Sequence, residues 1–312
     1  MFRLYRLFGL ALLPVLFAAC EKVDITTEAT PVHSAGRIEV TPSYRGVYVN
    51  AFDTMLGNVA AEDSMLNWCK TNGFNAISLY SLNAVMGDER YTSLARFIKK
   101  ARTGGYGITQ VAAVRGSSNN FTQNANYDNG RADLNERFNV YNLENEWWNN
   151  GPDCPFGCYT NILQFMSQKA LAANPKIIRE TYMGWFQNPD GNELNQAKTL
   201  VKNLDRLMVH DYRTSPSFGY MQSRLSYVGR AAKSLGRVMD VIVIFSAEPE
   251  FMQNYFSTSG QNKTFDDAYA AIVAQHDAAT FTGKENIRII GYQIFQYSLA
   301  KQARPLVMPV LQ

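Results

Sequence analysis

The 312-residue chain has only three histidines and four cysteines, and charged residues make up 18% of it. So few histidine and cysteine side chains leave little from which to build a metal centre, so no metal is expected and a metal-dependent phosphodiesterase is disfavoured. No GxGxxG or GxxxxGK[ST] follows the first apolar strand, so the usual evidence for a bound nucleotide is missing and no cofactor is expected. There is no run of Lys/Arg to track phosphates, and the formal net charge of +3 shrinks further once Arg3 and Arg6 are set aside, so nucleic acid is not an expected partner. The chain is 46% hydrophobic, which excludes disorder, and its weak charge excludes a coiled coil. What is abundant is aromatic: 17 Tyr and 18 Phe. Such a composition suits stacking on neutral ligands, although most of the rings belong in a core.

Residues 1–20 (MFRLYRLFGLALLPVLFAAC) carry two arginines, an apolar stretch from Leu7 to Ala19 and then Cys20. This is the three-part pattern of an export signal, and it is too short for a folded membrane anchor. Its last four residues, Phe17-Ala18-Ala19-Cys20, resemble the lipobox of bacterial lipoproteins, which implies a lipidated Cys20 and a protein held at the cell envelope by its lipid, on the periplasmic or surface side of the outer membrane. Residues 21–43 are polar and patternless, as a tether would be. Cys154 and Cys158 lie in the Gly/Pro-rich NNGPDCPFGCYTN, where an exported protein is expected to form a short local disulfide. Cys69, in MLNWCKTNGF, reads as a small core residue.

From Tyr44 onward apolar runs alternate with amphipathic segments. Strands are predicted over 44–52, 74–82, 106–116, 137–148, 176–185, 205–213, 238–251 and 286–298. Helices are predicted over 61–73, 91–103, 159–173, 191–204, 223–236 and 264–281, with the Asn-rich 117–130 segment as a polar loop. Strand–helix alternation on this scale predicts one α/β domain over 44–312, a monomeric (β/α)8 TIM barrel.

A barrel of this kind works at the C-terminal ends of its strands. The fourth strand supplies Asn142, Glu144 and Glu146, which a period of two puts on one face. Two adjacent carboxylates cannot both ionise freely, so one is expected to stay protonated near neutral pH, as a general acid requires. Trp147 and Trp148 follow as a platform for a sugar face. Other strand ends offer Glu180 and Tyr182, His210 and Tyr212, Glu248, and Gln293 and Gln296. Carboxylates, amides and aromatics without a metal-ligand cluster point to carbohydrate hydrolysis.

The stretch NLENEWW resembles the fourth-strand DxDxE motif of glycoside hydrolase family 18, the chitinases and endo-β-N-acetylglucosaminidases. The resemblance implies Glu146 as catalytic acid, Glu144 and Tyr212 holding the substrate's acetamide, and Asn142 in place of the first Asp. It further implies retaining catalysis assisted by the substrate's own acetamide. Asn145-Glu146 with Glu248 is also similar to the clan A retaining glycosidases, in which Glu248 would be the nucleophile and the two carboxyls would stand about 5–5.5 Å apart. The chain as a whole resembles barrel lipoproteins of Bacteroidetes-type bacteria, which implies glycan foraging. A glycan-binding barrel without catalysis is the alternative that the altered motif leaves open.

Overall fold

The computed structural model describes residues 40–149, 154–186 and 191–303. Eight parallel strands close into a barrel in sequence order: β1 (Tyr44–Val49), β2 (Ala76–Leu79), β3 (Gln110–Arg115), β4 (Val140–Leu143), β5 (Ile178–Met183), β6 (Arg206–His210), β7 (Met239–Ser246) and β8 (Ile287–Phe295). Each lies within its predicted stretch. β8 closes on β1, with Gly46 opposite Gln293. The predicted helices are present as Val59–Thr71, Tyr91–Thr103, Phe156–Ala172, Glu193–Asn203, Phe218–Ser234 and Phe265–Ala278.

Local chemistry sets the helix ends. The Asn58 side chain caps the first of these helices by accepting from Ala61 N. That helix finishes in a Schellman turn, with Phe74 N bonding Cys69 O, Gly73 N bonding Lys70 O, and Gly73 at φ 69°. Thr264 and Asp267 form a reciprocal capping box at the start of the last.

The 117–130 segment departs from expectation. It is a helix, Ser118–Asn129, capped by the Ser117 hydroxyl. Its buried face is Phe121, Asn124, Tyr127 and Asp128, a helical spacing in which half of the positions are polar. Asp128 holds it down by accepting from Phe138 N at 2.9 Å and Tyr141 Oη at 2.7 Å.

Two cores result. The outer one, between strands and helices, is apolar and takes in Cys69, which is fully buried as predicted. The inner one is polar. Arg206 Nε donates to Glu180 Oε2 at 2.6 Å and Arg206 Nη1 to Gln110 Oε1 at 2.6 Å, with the guanidinium 4.7 Å from the Tyr44 ring centroid. Asn142 Nδ2 donates to Glu180 Oε1 at 2.8 Å. Tyr44 Oη donates to Gln293 Oε1 at 2.8 Å, and Gln293 Nε2 to Ser78 Oγ at 3.2 Å. Gly46 makes room for this packing, since a Cβ there would stand 1.9 Å from Gln293 Oε1.

Candidate functional site

The strands set how high each side chain stands in the barrel, and height separates floor from mouth. Glu180 and Gln293 were expected at strand ends and belong to the inner core instead: both are fully buried and bonded within the barrel. The sequence stretches that mark these strands run past their paired residues, which makes mid-strand positions resemble ends. Asn142 is likewise fully buried, with its amide on Glu180 and on Met208 Sδ.

β4 stops at Leu143, so the period of two carries only as far as Glu144 and then breaks into a turn closed by Asn149 N on Glu146 O. Glu144 is half-buried and accepts a hydrogen bond from Tyr80 Oη. Withdrawal from water pushes its pKa up to about 7; the Tyr80 bond opposes this and the nearby charge of Glu146 adds to it. Glu146 is exposed, and its Oε2 accepts from the Asn149 amide. Glu144 is thus the carboxyl that burial keeps protonated toward neutral pH.

Trp147 and Trp148 are no platform. Trp147 is 1% exposed, with its ring centroid 4.1 Å from Tyr159 and 5.5 Å from Phe156, and Trp148 packs edge-on against Tyr182. The turn after Leu143 lays Trp147 on the helix Phe156–Ala172 and Trp148 between Trp147 and Tyr182 of β5. That helix carries Cys158, joined to Cys154 in the predicted disulfide. Cys20 lies outside the described residues.

The rings of the mouth come from elsewhere: Tyr80, Tyr212, Phe251 and Phe295 are partly buried and lie over the fully buried Tyr48. Tyr48 and Tyr80 lie 5.1 Å apart by ring centroid, Tyr48 and Phe295 5.9 Å, Phe295 and Tyr212 6.1 Å, and Tyr212 and Phe251 5.2 Å. Tyr212 adjoins His210 at 4.7 Å, and Trp185, which is 39% exposed, lies 5.8 Å from His210. Arg224 stacks on Trp185 at 4.4 Å. Sequence reasoning missed Tyr80, Trp185, Phe251 and Phe295; their signal was one aromatic at or just past the end of its strand in all but Phe251.

His210 is buried, with its ring beside the Gly184 backbone. Burial, followed by the charge of Arg224, lowers its pKa to about 3 against a weaker, opposing hydrogen bond with the Gly184 backbone, so it stays a neutral imidazole. Glu248, just past β7, accepts from Ser246 Oγ at 2.7 Å, and Gln296 is half-buried just past β8. The hydroxyl of Tyr212 reports how these acids gather. Burial first, then Tyr182, Glu144, Glu248 and Glu146, raise its pKa well above the usual value, so the fields of all three carboxylates meet at one ring. Among the described residues no group of three His, Cys, Asp or Glu could hold a metal ion.

Beside Glu144 opens a cavity of about 190 Å³ between the ends of β2, β3 and β4, lined among others by Tyr80, Asn83, Arg115 and Asn120. Arg115, the last residue of β3, is 3% exposed.

The sequence matches no protein-family model and no functionally curated protein. Among solved structures it is similar to the ICChI chitinase from Ipomoea carnea, with TM-score 0.48 and 11% identity, covering 83% of this chain and 97% of that one. It is also similar to N-acetylneuraminate lyase from Mycoplasma synoviae, with TM-score 0.46 and 10% identity over 81% of this chain and 68% of that one. A third is dihydrodipicolinate synthase from Bacillus clausii, with TM-score 0.42 and 10% identity over 80% and 67% respectively. By its own strand pairing the chain is a closed eight-stranded (β/α)8 barrel.

Proposed function

We infer that this barrel is a glycoside hydrolase in which Glu144 holds the proton delivered to the leaving oxygen. The observation that carries the reading is a carboxyl with a pKa raised to about 7 at the end of β4, hydrogen-bonded to Tyr80 and beside a second carboxylate. A general acid must be protonated at working pH and still release its proton readily, which a value near neutrality satisfies. Tyr80 engages Oε2, which leaves Oε1 to carry the proton. Glu146 beside it favours the protonated form of Glu144. Glu248 or an acetamide of the substrate attacks the anomeric carbon. His210, Tyr212 and the exposed Trp185 contact the sugar.

One observation favours a glycan-binding barrel instead. Glu146, the acid of the DxDxE-like pattern, is exposed and bonded to Asn149 rather than sunk in the mouth. A panel of chromogenic glycosides and N-acetylglucosaminides separates the readings. Glu144→Gln is expected to lower kcat/KM by about 10²- to 10⁴-fold and to remove the alkaline limb of the pH–rate profile near 7. Glu146→Gln is expected to shift that limb to lower pH with a smaller loss. Absence of turnover in the wild type would leave the binding role. The lipid anchor proposed at Cys20 predicts that the full chain sediments with membranes and that Cys20→Ser releases it.

A further inference from the structure

We propose that the cavity beside Glu144 is a subsite for the anionic substituent of an acidic sugar, a carboxylate or a sulfate, held by Arg115 with Asn83 and Asn120. The inference rests on the mouth being a glycan site and names the class of glycan.

The argument begins with a charge that lacks its counter-charge. Arg115 is buried at the end of β3, yet each bond it makes is to a neutral acceptor. Nη1 donates to Asn83 Oδ1 at 2.9 Å, and Nη2 to Gln123 Oε1 at 2.6 Å, to Asn120 O at 3.3 Å and to Met86 Sδ at 3.3 Å. Nε has no partner. Among the described residues no carboxylate comes within ion-pair distance of it. A buried guanidinium ordinarily meets an anion, because burial without one is costly. Here burial lowers the Arg115 pKa to about 10, the direction expected where the counter-charge is missing.

The surrounding amides are arranged to donate. Asn83 Oδ1 is fixed toward Arg115 Nη1 and also accepts from Asn120 Nδ2 at 3.0 Å. That leaves the Asn83 Nδ2 donor on the opposite side of the same exposed amide. Among the described residues Glu144 is the one carboxyl lining the cavity, and it forms no ion pair with Arg115. With its pKa raised to about 7 it is only partly ionised at neutral pH, so it opposes an incoming anion less than an ordinary carboxylate would. The volume of about 190 Å³ corresponds to roughly six waters at about 30 Å³ each and falls below the range of whole-ligand pockets, so it accommodates one substituent of a sugar whose ring lies in the mouth.

The test uses the full chain and three probes that share one ring and differ at one carbon: glucose, glucuronate and glucose 6-sulfate. In equilibrium titrations at least one acidic probe is expected to bind about tenfold or more tightly than glucose, and the stronger of the two identifies the carboxylate or the sulfate as the fitted group. Asn83→Asp would place an internal carboxylate against Arg115. Because that side chain is exposed, folding should survive, and the preference for the acidic probe should vanish while thermal stability holds or rises. Arg115→Gln should abolish the same preference. Equal affinity for all three probes, or no measurable binding of any, would overturn the proposal, as would an acidic preference that persists in Asn83→Asp. The two readings fail separately. Acidic preference without hydrolysis of any glycan removes the hydrolase and keeps the subsite; cleavage of neutral glycans without acidic preference does the reverse.

Discussion

Arg206 and Arg115 are buried to nearly the same degree, 5% and 3% exposed, and end in opposite electrostatic states. For Arg206 burial works to lower the pKa, but the charge of Glu180, the Tyr44 ring and the Glu180 hydrogen bond outweigh it and the guanidinium titrates above its ordinary range. For Arg115 nothing outweighs burial, and the value falls to about 10. The first lies on the barrel floor and is internally complete. The second lies at the mouth and is complete only with something from outside. Burial therefore does not separate structural from functional charge in this barrel; whether the partner is built in does.

The contrast can be broken by mutation. Arg206→Met strands Glu180 as an unpaired buried carboxyl and is expected to destabilise by about 3–5 kcal/mol in denaturant unfolding. Arg115→Met strands no charge and leaves mainly hydrogen-bond acceptors that water can reach, so a loss of about 1–2 kcal/mol is expected. Equal losses would mean that Arg115 is as structural as Arg206. Next in size is the response to pH. Burial raises the folded pKa of Asp128, Glu144 and Asp211 to about 7 each, against opposing hydrogen bonds from Tyr141, Tyr80 and Ser217 N. Raised acids bind protons more tightly folded than unfolded, so their stabilisation is complete below about pH 4 and is lost as pH climbs through 7. Tm should therefore be several degrees higher at pH 5 than at pH 8, and Asp128→Asn should flatten part of the slope. The smallest effect belongs to Lys233→Ala. Its partner Glu285 is as exposed as the lysine is, and Tm should not move measurably.

Strand positions were legible because each strand is a short apolar run between polar segments, and burial on both faces is written directly into such runs. The helix Ser118–Asn129 was not, because Asn124 and Asp128 occupy buried positions on its inner face, and the bonds that hold Asp128 come from Phe138 N and Tyr141, outside the helix. Glu144 and the gathering of acids at the mouth were legible from strand-end position. Which of Glu144 and Glu146 is withdrawn from water was not, since that depends on the turn after Leu143 and on Tyr80, 64 residues away. Glu180 and Gln293 show a further limit: floor and mouth residues look alike in sequence, and only the stagger of the closed sheet sets their depth. Arg115 could have been noticed as a lone charge ending the apolar strand QVAAVR.

The tryptophans carry a consequence beyond the loss of a platform. Trp147 follows Glu144 by three residues and is sunk among Tyr159, Phe156 and Trp148, on a helix stapled near its start by Cys154 and Cys158. Glu144 is thereby tethered on one side by a rigid aromatic anchor and on the other by Tyr80. Its carboxyl is preorganised, with little freedom to follow a retreating ligand. Any adaptation to a bound molecule must then come from that molecule or from the surrounding rings, and not from the acid.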